Sequence, residues 1–127
     1  MLKNLLRWLL GIFFVLAGLN HFREPALYVA MLPPWTPQAA GLSAIAGAFE
    51  ILGGIGLLLP GTRRAAGWGL IALLVAVLPA NLYVAHLGHM EGFSFSPTTL
   101  WLRLPLQAVP IAWTYWVAIA RERALPI

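Results

Sequence analysis

Few residues in this 127-residue chain are equipped for chemistry, and most of them stand inside apolar surroundings. Glu50 is the single charge in the run from Ala39 to Leu59. Asn81 follows Pro79 in the run from Ala65 to Leu87, and Arg103 and Gln107 stand four apart in the run from Leu100 to Ala120. Asn20 and His21 close the first run, which starts near Leu5. In helical geometry Ser43, Gly47, Glu50 and Gly54 fall at i, i+4, i+7 and i+11, which is one face. Arg103, Gln107, Pro110 and Thr114 form a comparable stripe. A carboxyl facing amide and guanidinium groups in a dry setting can exchange a proton and hold a ligand's oxygens, because donors there stabilise developing oxyanion charge. The bland alternative is that these groups tie helices together, each contact contributing about 0.5–2 kcal/mol.

The elements that must position these groups follow from composition. Hydrophobic residues make up 61 % and charged residues 9 %, and mean hydropathy is +0.82. A soluble domain of this size would be polar over much of its surface. The balance excludes an ordinary soluble enzyme, a disordered chain and a nucleic-acid-binding domain, and points to a protein that lives in the lipid bilayer. The absence of cysteine excludes disulfides, thiolate nucleophiles and cysteine-ligated clusters.

The expected fold is all-α: one domain over residues 1–127, an integral membrane four-helix bundle with spans at about 5–20, 39–59, 65–87 and 100–120. Lys3, Arg7 and the apolar stretch from Trp8 to Leu19 resemble a signal peptide, but Asn20-His21-Phe22-Arg23 offers no small-residue cleavage site, so the segment is kept as a span. The first span is short unless Arg7 snorkels and Phe22 is included. Pro60-Gly61-Thr62-Arg63-Arg64 is a tight turn that makes the second and third spans antiparallel neighbours. Pro25 to Leu32 suits a short interfacial helix in the first outer loop, with Tyr28, Met31 and Trp35 at the interface. Lys3, Arg7, Arg63, Arg64, Arg121 and Arg123 fall on one side and Arg23 and Arg103 on the other. The positive-inside rule then puts both termini in the cytoplasm. These cations read as topology signals and lipid-headgroup contacts.

Helical rise sets the depth of the polar groups: Glu50 about 16 Å in from the outer end, Asn81 and Gln107 about 10 Å, Arg103 about 5 Å. They form a ladder descending from the outer surface. A Glu50–Arg103 pair is stretched, because side chains lean toward their helix N-terminus and both of these lean outward. Without that pair, a neutral Glu50 would bond Asn81 or Gln107. His86 and His89 form HxxH, with Glu91 and His21 at the same end, a spacing that could suit a metal. The stretch after Gly88 need not stay helical, and the expectation is that no metal is bound.

Read together, Asn20-His21-Phe22, Pro25, Tyr28, Met31, Pro33-Pro34 and Pro37 begin a known pattern. Glu50, Gly53 through Pro60, Arg63-Arg64, Ala66 through Leu70, Pro79-Ala80-Asn81 and Leu100 through Gln107 continue it. The chain resembles the DoxX family of small bacterial membrane proteins, related to MauE-type proteins. The resemblance spans almost the whole chain. It implies a four-helix inner-membrane bundle associated with oxidoreduction, with Glu50, Asn81, Arg103, Gln107, Asn20 and His21 as the ligand-binding or polar-core residues. It assigns the chain no catalytic residue and no reaction of its own. A redox-associated subunit binding a quinone or small lipophile in an outer-half polar pocket is the leading expectation, with a redox or other membrane complex as partner and a homo-oligomer left open. A non-enzymatic assembly subunit and a small transporter are the alternatives.

Overall fold

The computed structural model describes residues 2–88 and 96–120. His89, Glu91, Arg121 and Arg123 lie outside them. Helix α1 spans Leu2–Arg23, α2 Pro25–Val29, α3 Ala39–Leu58, α4 Arg63–Ala76, α5 Leu78–Leu87, α6 Pro97–Leu106 and α7 Ala108–Thr114. A π turn over Tyr115–Ile119 closes the last helix, its end marked by Ala120 N–H donating to the Tyr115 carbonyl at 2.9 Å. No strand occurs among the described residues. Among the described residues, three helices are long and apolar enough to cross a membrane: Leu2–Arg23, Ala39–Leu58 and the joined α4–α5 rod, Arg63–Leu87. Large apolar side chains such as Phe13, Leu16, Phe49 and Leu52 point outward, which hydrocarbon tolerates and water does not.

The first rod is longer than the expected 5–20. Arg7 does not snorkel; it is 5 % exposed, and its Nε donates to the Val117 carbonyl at 2.8 Å. The last rod is broken where one continuous helix over 100–120 was expected. Pro105 and Pro110 each remove a backbone donor, and the helix is interrupted at Gln107 between α6 and α7. The α4–α5 rod breaks at Val77, two residues before Pro79, for the same reason. The short helix of the first loop ends at Val29, not Leu32, and it packs against α1 and α3. Tyr28 and Met31 therefore turn inward, while Trp35 stays 77 % exposed.

The rods close a ring: α1 packs on α3, α3 on α4, α4 on α7 and the π turn, and these on α1. One core cluster, including Leu10, Phe14, Leu57, Leu70 and Val117, fills the half that holds the α3–α4 turn. A second, Met31, Val84, Ala85 and Leu100, joins α5 to α6 in the opposite half.

The tightest contact is between α1 and α3, and glycines make it. A Cβ on Gly18 would lie 2.6 Å from the Gly47 carbonyl oxygen, and one on Gly54 would lie 2.6 Å from that of Gly11. The residues pair antiparallel, Gly11 with Gly54 and Gly18 with Gly47, each helix offering glycines seven apart. Only hydrogen fits between backbones this close. The seam sets the register that carries the polar groups beyond it.

At the turn end, cations cap carbonyls. Lys3 Nζ donates to the Ala120 carbonyl at 3.3 Å and Arg64 Nη1 to the Ile119 carbonyl at 2.9 Å, beside the Arg7–Val117 bond. A helix C-terminus leaves carbonyls unpaired and carries partial negative charge, so cations belong there. These three side chains are part of the fold's bonding as well as of its charge asymmetry.

Candidate functional site

The seam places His21 one turn beyond Gly18 and Glu50 one turn inside Gly47. The two helices run in opposite directions, so their side chains lean toward each other: His21 back along α1, Glu50 back along α3. They meet with His21 Nε2 3.0 Å from Glu50 Oε2. On the other side of the ring, His21 Nδ1 lies 3.2 Å from Ser43 Oγ. The Tyr28 ring stacks on the imidazole, with centroids 3.6 Å apart and planes 17° apart. Asn20 Nδ2 donates to the Tyr28 hydroxyl at 2.8 Å. Asn20, His21, Tyr28, Ser43 and Glu50 thus form one cluster, held by α1, α2 and α3.

Two observations bear on its chemistry. Glu50 Oε2 is buried yet has no hydrogen-bond donor among the described residues. Its contact with His21 is close enough for an ion pair but falls outside hydrogen-bond geometry. The cluster is also not sealed: the His21 and Glu50 side chains remain 10 % and 14 % exposed. A buried acceptor without a donor costs free energy unless something supplies one.

The other expected groups do not converge on Glu50 by any bond. Gln107 Nε2 donates to the Leu74 carbonyl at 3.2 Å, at the break that Pro79 makes in the α4–α5 rod. Thr114 Oγ1 donates to the Pro110 carbonyl at 2.7 Å, inside its own helix. Arg103 Nη2 meets Met31 Sδ at 3.7 Å and interacts electrostatically with Tyr28, so it borders the cluster through α2. Asn81 is buried and, like Glu50, carries an oxygen with no donor among the described residues. The four groups of the descending ladder therefore have separate surroundings, and Glu50 takes His21 as its partner in place of Arg103.

Sequence reasoning also passed over Tyr28 and Ser43 as partners of His21. A rule already in hand points to His21: the lean that separates Glu50 from Arg103 selects a partner on a helix running the other way. Two apolar grooves on the described surface lie elsewhere, between α3 and α4 and between α1 and α7. His86 is exposed, and no group of three His, Cys, Asp or Glu residues is gathered among the described residues.

A family model described as a domain of unknown function (DUF8561) matches residues 10–118. No curated protein matches, and no solved structure does.

Proposed function

The chain belongs to the DUF8561 family, and we propose that it is a redox-associated membrane subunit that binds a quinol-class lipophile at the His21–Glu50 cluster. In this reading the broken α6–α7 rod is a fourth crossing, the chain sits in a bacterial inner membrane with both termini cytoplasmic, and the likeness to DoxX proteins carries over to function. The observation that carries it is the orphaned Glu50 oxygen, an acceptor midway along α3 with no donor among the described residues. A hydroxyl-bearing lipophile supplies that donor. Bound there, a quinol brings two hydroxyl groups, and a partner subunit that oxidises it would draw off two electrons as two protons leave.

The chain's own residues do the rest. Glu50 accepts a hydroxyl proton. His21 touches Glu50 on one side and Ser43 on the other, so the proton has a second base and a route off the carboxylate. Tyr28 covers the imidazole face and limits its access to water, and Asn20 holds Tyr28 by its hydroxyl. Arg103, beside Met31 and Tyr28, is placed to donate to a second oxygen. The electrons go to the partner, because a chain without cysteine offers no thiol for them.

The experiment is native mass spectrometry of the chain purified in lipid nanodiscs, with a ubiquinol and a menaquinol offered in turn. One quinol retained per chain is the expected result. Retention of neither overturns the proposal. A stoichiometric protein partner with an empty cluster would favour the assembly-subunit reading instead.

A further inference from the structure

We infer that the groove between α3 and α4 is a binding site for one anionic phospholipid, its acyl chain in the groove and its phosphate at Arg63 and Arg64. The groove holds about 490 Å³ and is walled by apolar and small residues, with Thr62 as its polar end. On α3 it runs from Phe49 to Leu59, which at 1.5 Å per residue is about 15 Å. That is half of a hydrocarbon core about 30 Å thick, the depth of one leaflet. The groove is thus as long as an acyl chain's share of the bilayer, and it begins at the turn, where a headgroup belongs.

Charge complementarity decides the headgroup. Arg63 uses its Nε to donate to the Leu57 carbonyl at 3.0 Å, and its two terminal nitrogens make no bond among the described residues. Arg64 follows it and is exposed; its Nη1 caps the Ile119 carbonyl, which leaves Nε and Nη2 for a phosphate. Of the described carboxylates, Glu24 follows the far end of α1, and Glu50 lies two turns up α3 from Leu57 and faces His21 on α1, so neither pairs with these arginines. Planar guanidinium groups match phosphate oxygens, and basic positions between spans are where anionic headgroups bind. A second copy is a poorer occupant. Packed on this face about an axis normal to the bilayer, it would set its own arginines at the same level as these.

Gly69 provides a test that leaves the fold alone. It lines the groove, and a Cβ added there meets nothing within 4 Å. A leucine at 69 starts from open space and extends into the groove. The chain is delipidated, then offered phosphatidylglycerol and phosphatidylcholine of equal chain length in equal amounts, and retained lipid is read by native mass spectrometry. The wild type should keep one phosphatidylglycerol, favoured at least fivefold. Gly69→Leu should lose the retained lipid with its helical circular dichroism unchanged. Arg63→Gln should keep a lipid but lower the preference about fivefold, the share of one cation near an anionic surface. Equal retention of the two lipids would overturn the inference, as would retention untouched by Gly69→Leu. A wild-type dimer that Gly69→Leu dissolves, with no lipid held, would give the groove to a second copy and overturn it as well.

Discussion

Replacing Gly47 with alanine should destabilise the bundle through the α1–α3 seam. An alanine Cβ at 47 would lie 2.6 Å from the His21 Cβ and 2.9 Å from the Gly18 carbonyl oxygen. The carbonyl belongs to a helix backbone and has no rotamer to yield, so the two helices must separate. Overpacking of this kind costs about 1–3 kcal/mol, and it outweighs the roughly 1 kcal/mol that alanine gains over glycine in a helix. Gly18→Ala and Gly54→Ala meet the same wall and should behave alike. Gly69→Ala is the matched control: with open space around it, only the propensity term remains, and it should be neutral or stabilising. Denaturant titration in mixed micelles reads the difference. Equal stability of the Gly47 and Gly69 variants would remove the seam from the account. The Gly47 variant should also lose ligand binding before it loses the fold, because its methyl group pushes on the residue that faces Glu50.

The second large effect belongs to the cluster itself. His21→Phe keeps a ring to stack on Tyr28 but removes both nitrogens that meet Ser43 and Glu50. Glu50→Gln keeps the shape and removes the charge. Each should leave the helical signal intact and weaken quinol binding by tenfold or more, since a hydrogen bond to a charged group contributes about 1.5–3 kcal/mol. Gln107→Leu is the contrast. It removes the bond to the Leu74 carbonyl, so it should lower stability by about 0.5–2 kcal/mol and leave quinol affinity unchanged. The reverse pattern, with His21→Phe and Glu50→Gln unfolding the chain and Gln107→Leu abolishing binding, would make the cluster structural glue.

Much of the architecture was legible because hydrocarbon is an exacting solvent. It demands long apolar helices, and three of them are visible as runs. It also forbids a carboxylate facing lipid, which turns the Ser43–Gly47–Glu50–Gly54 face inward. Which partner Glu50 takes was less legible, because depth along the membrane says nothing about which rods are neighbours. Ring order puts α1 beside α3, and that adjacency rests on glycines whose pairing across helices is set by close approach and leaves no local mark in the sequence. Pro79 announces a carbonyl without its donor, yet only the packed structure shows Gln107 meeting the carbonyl next to it. Pro105 and Pro110 were equally visible. Their effect depends on whether neighbouring rods satisfy the freed backbone, and here the helix breaks at Gln107. Tyr28 and Met31 have an interfacial composition, but α2 folds down onto the end of α1 and carries them inward.

In the proposed complex the Glu50 carboxyl accepts a hydrogen bond from the bound quinol. Difference infrared spectroscopy of the chain in nanodiscs, recorded before and after adding quinol, observes that group directly. A shift in a carboxyl or carboxylate band should appear with quinol and be absent from Glu50→Gln. A difference spectrum that is the same in wild type and Glu50→Gln, or flat in both, would contradict it.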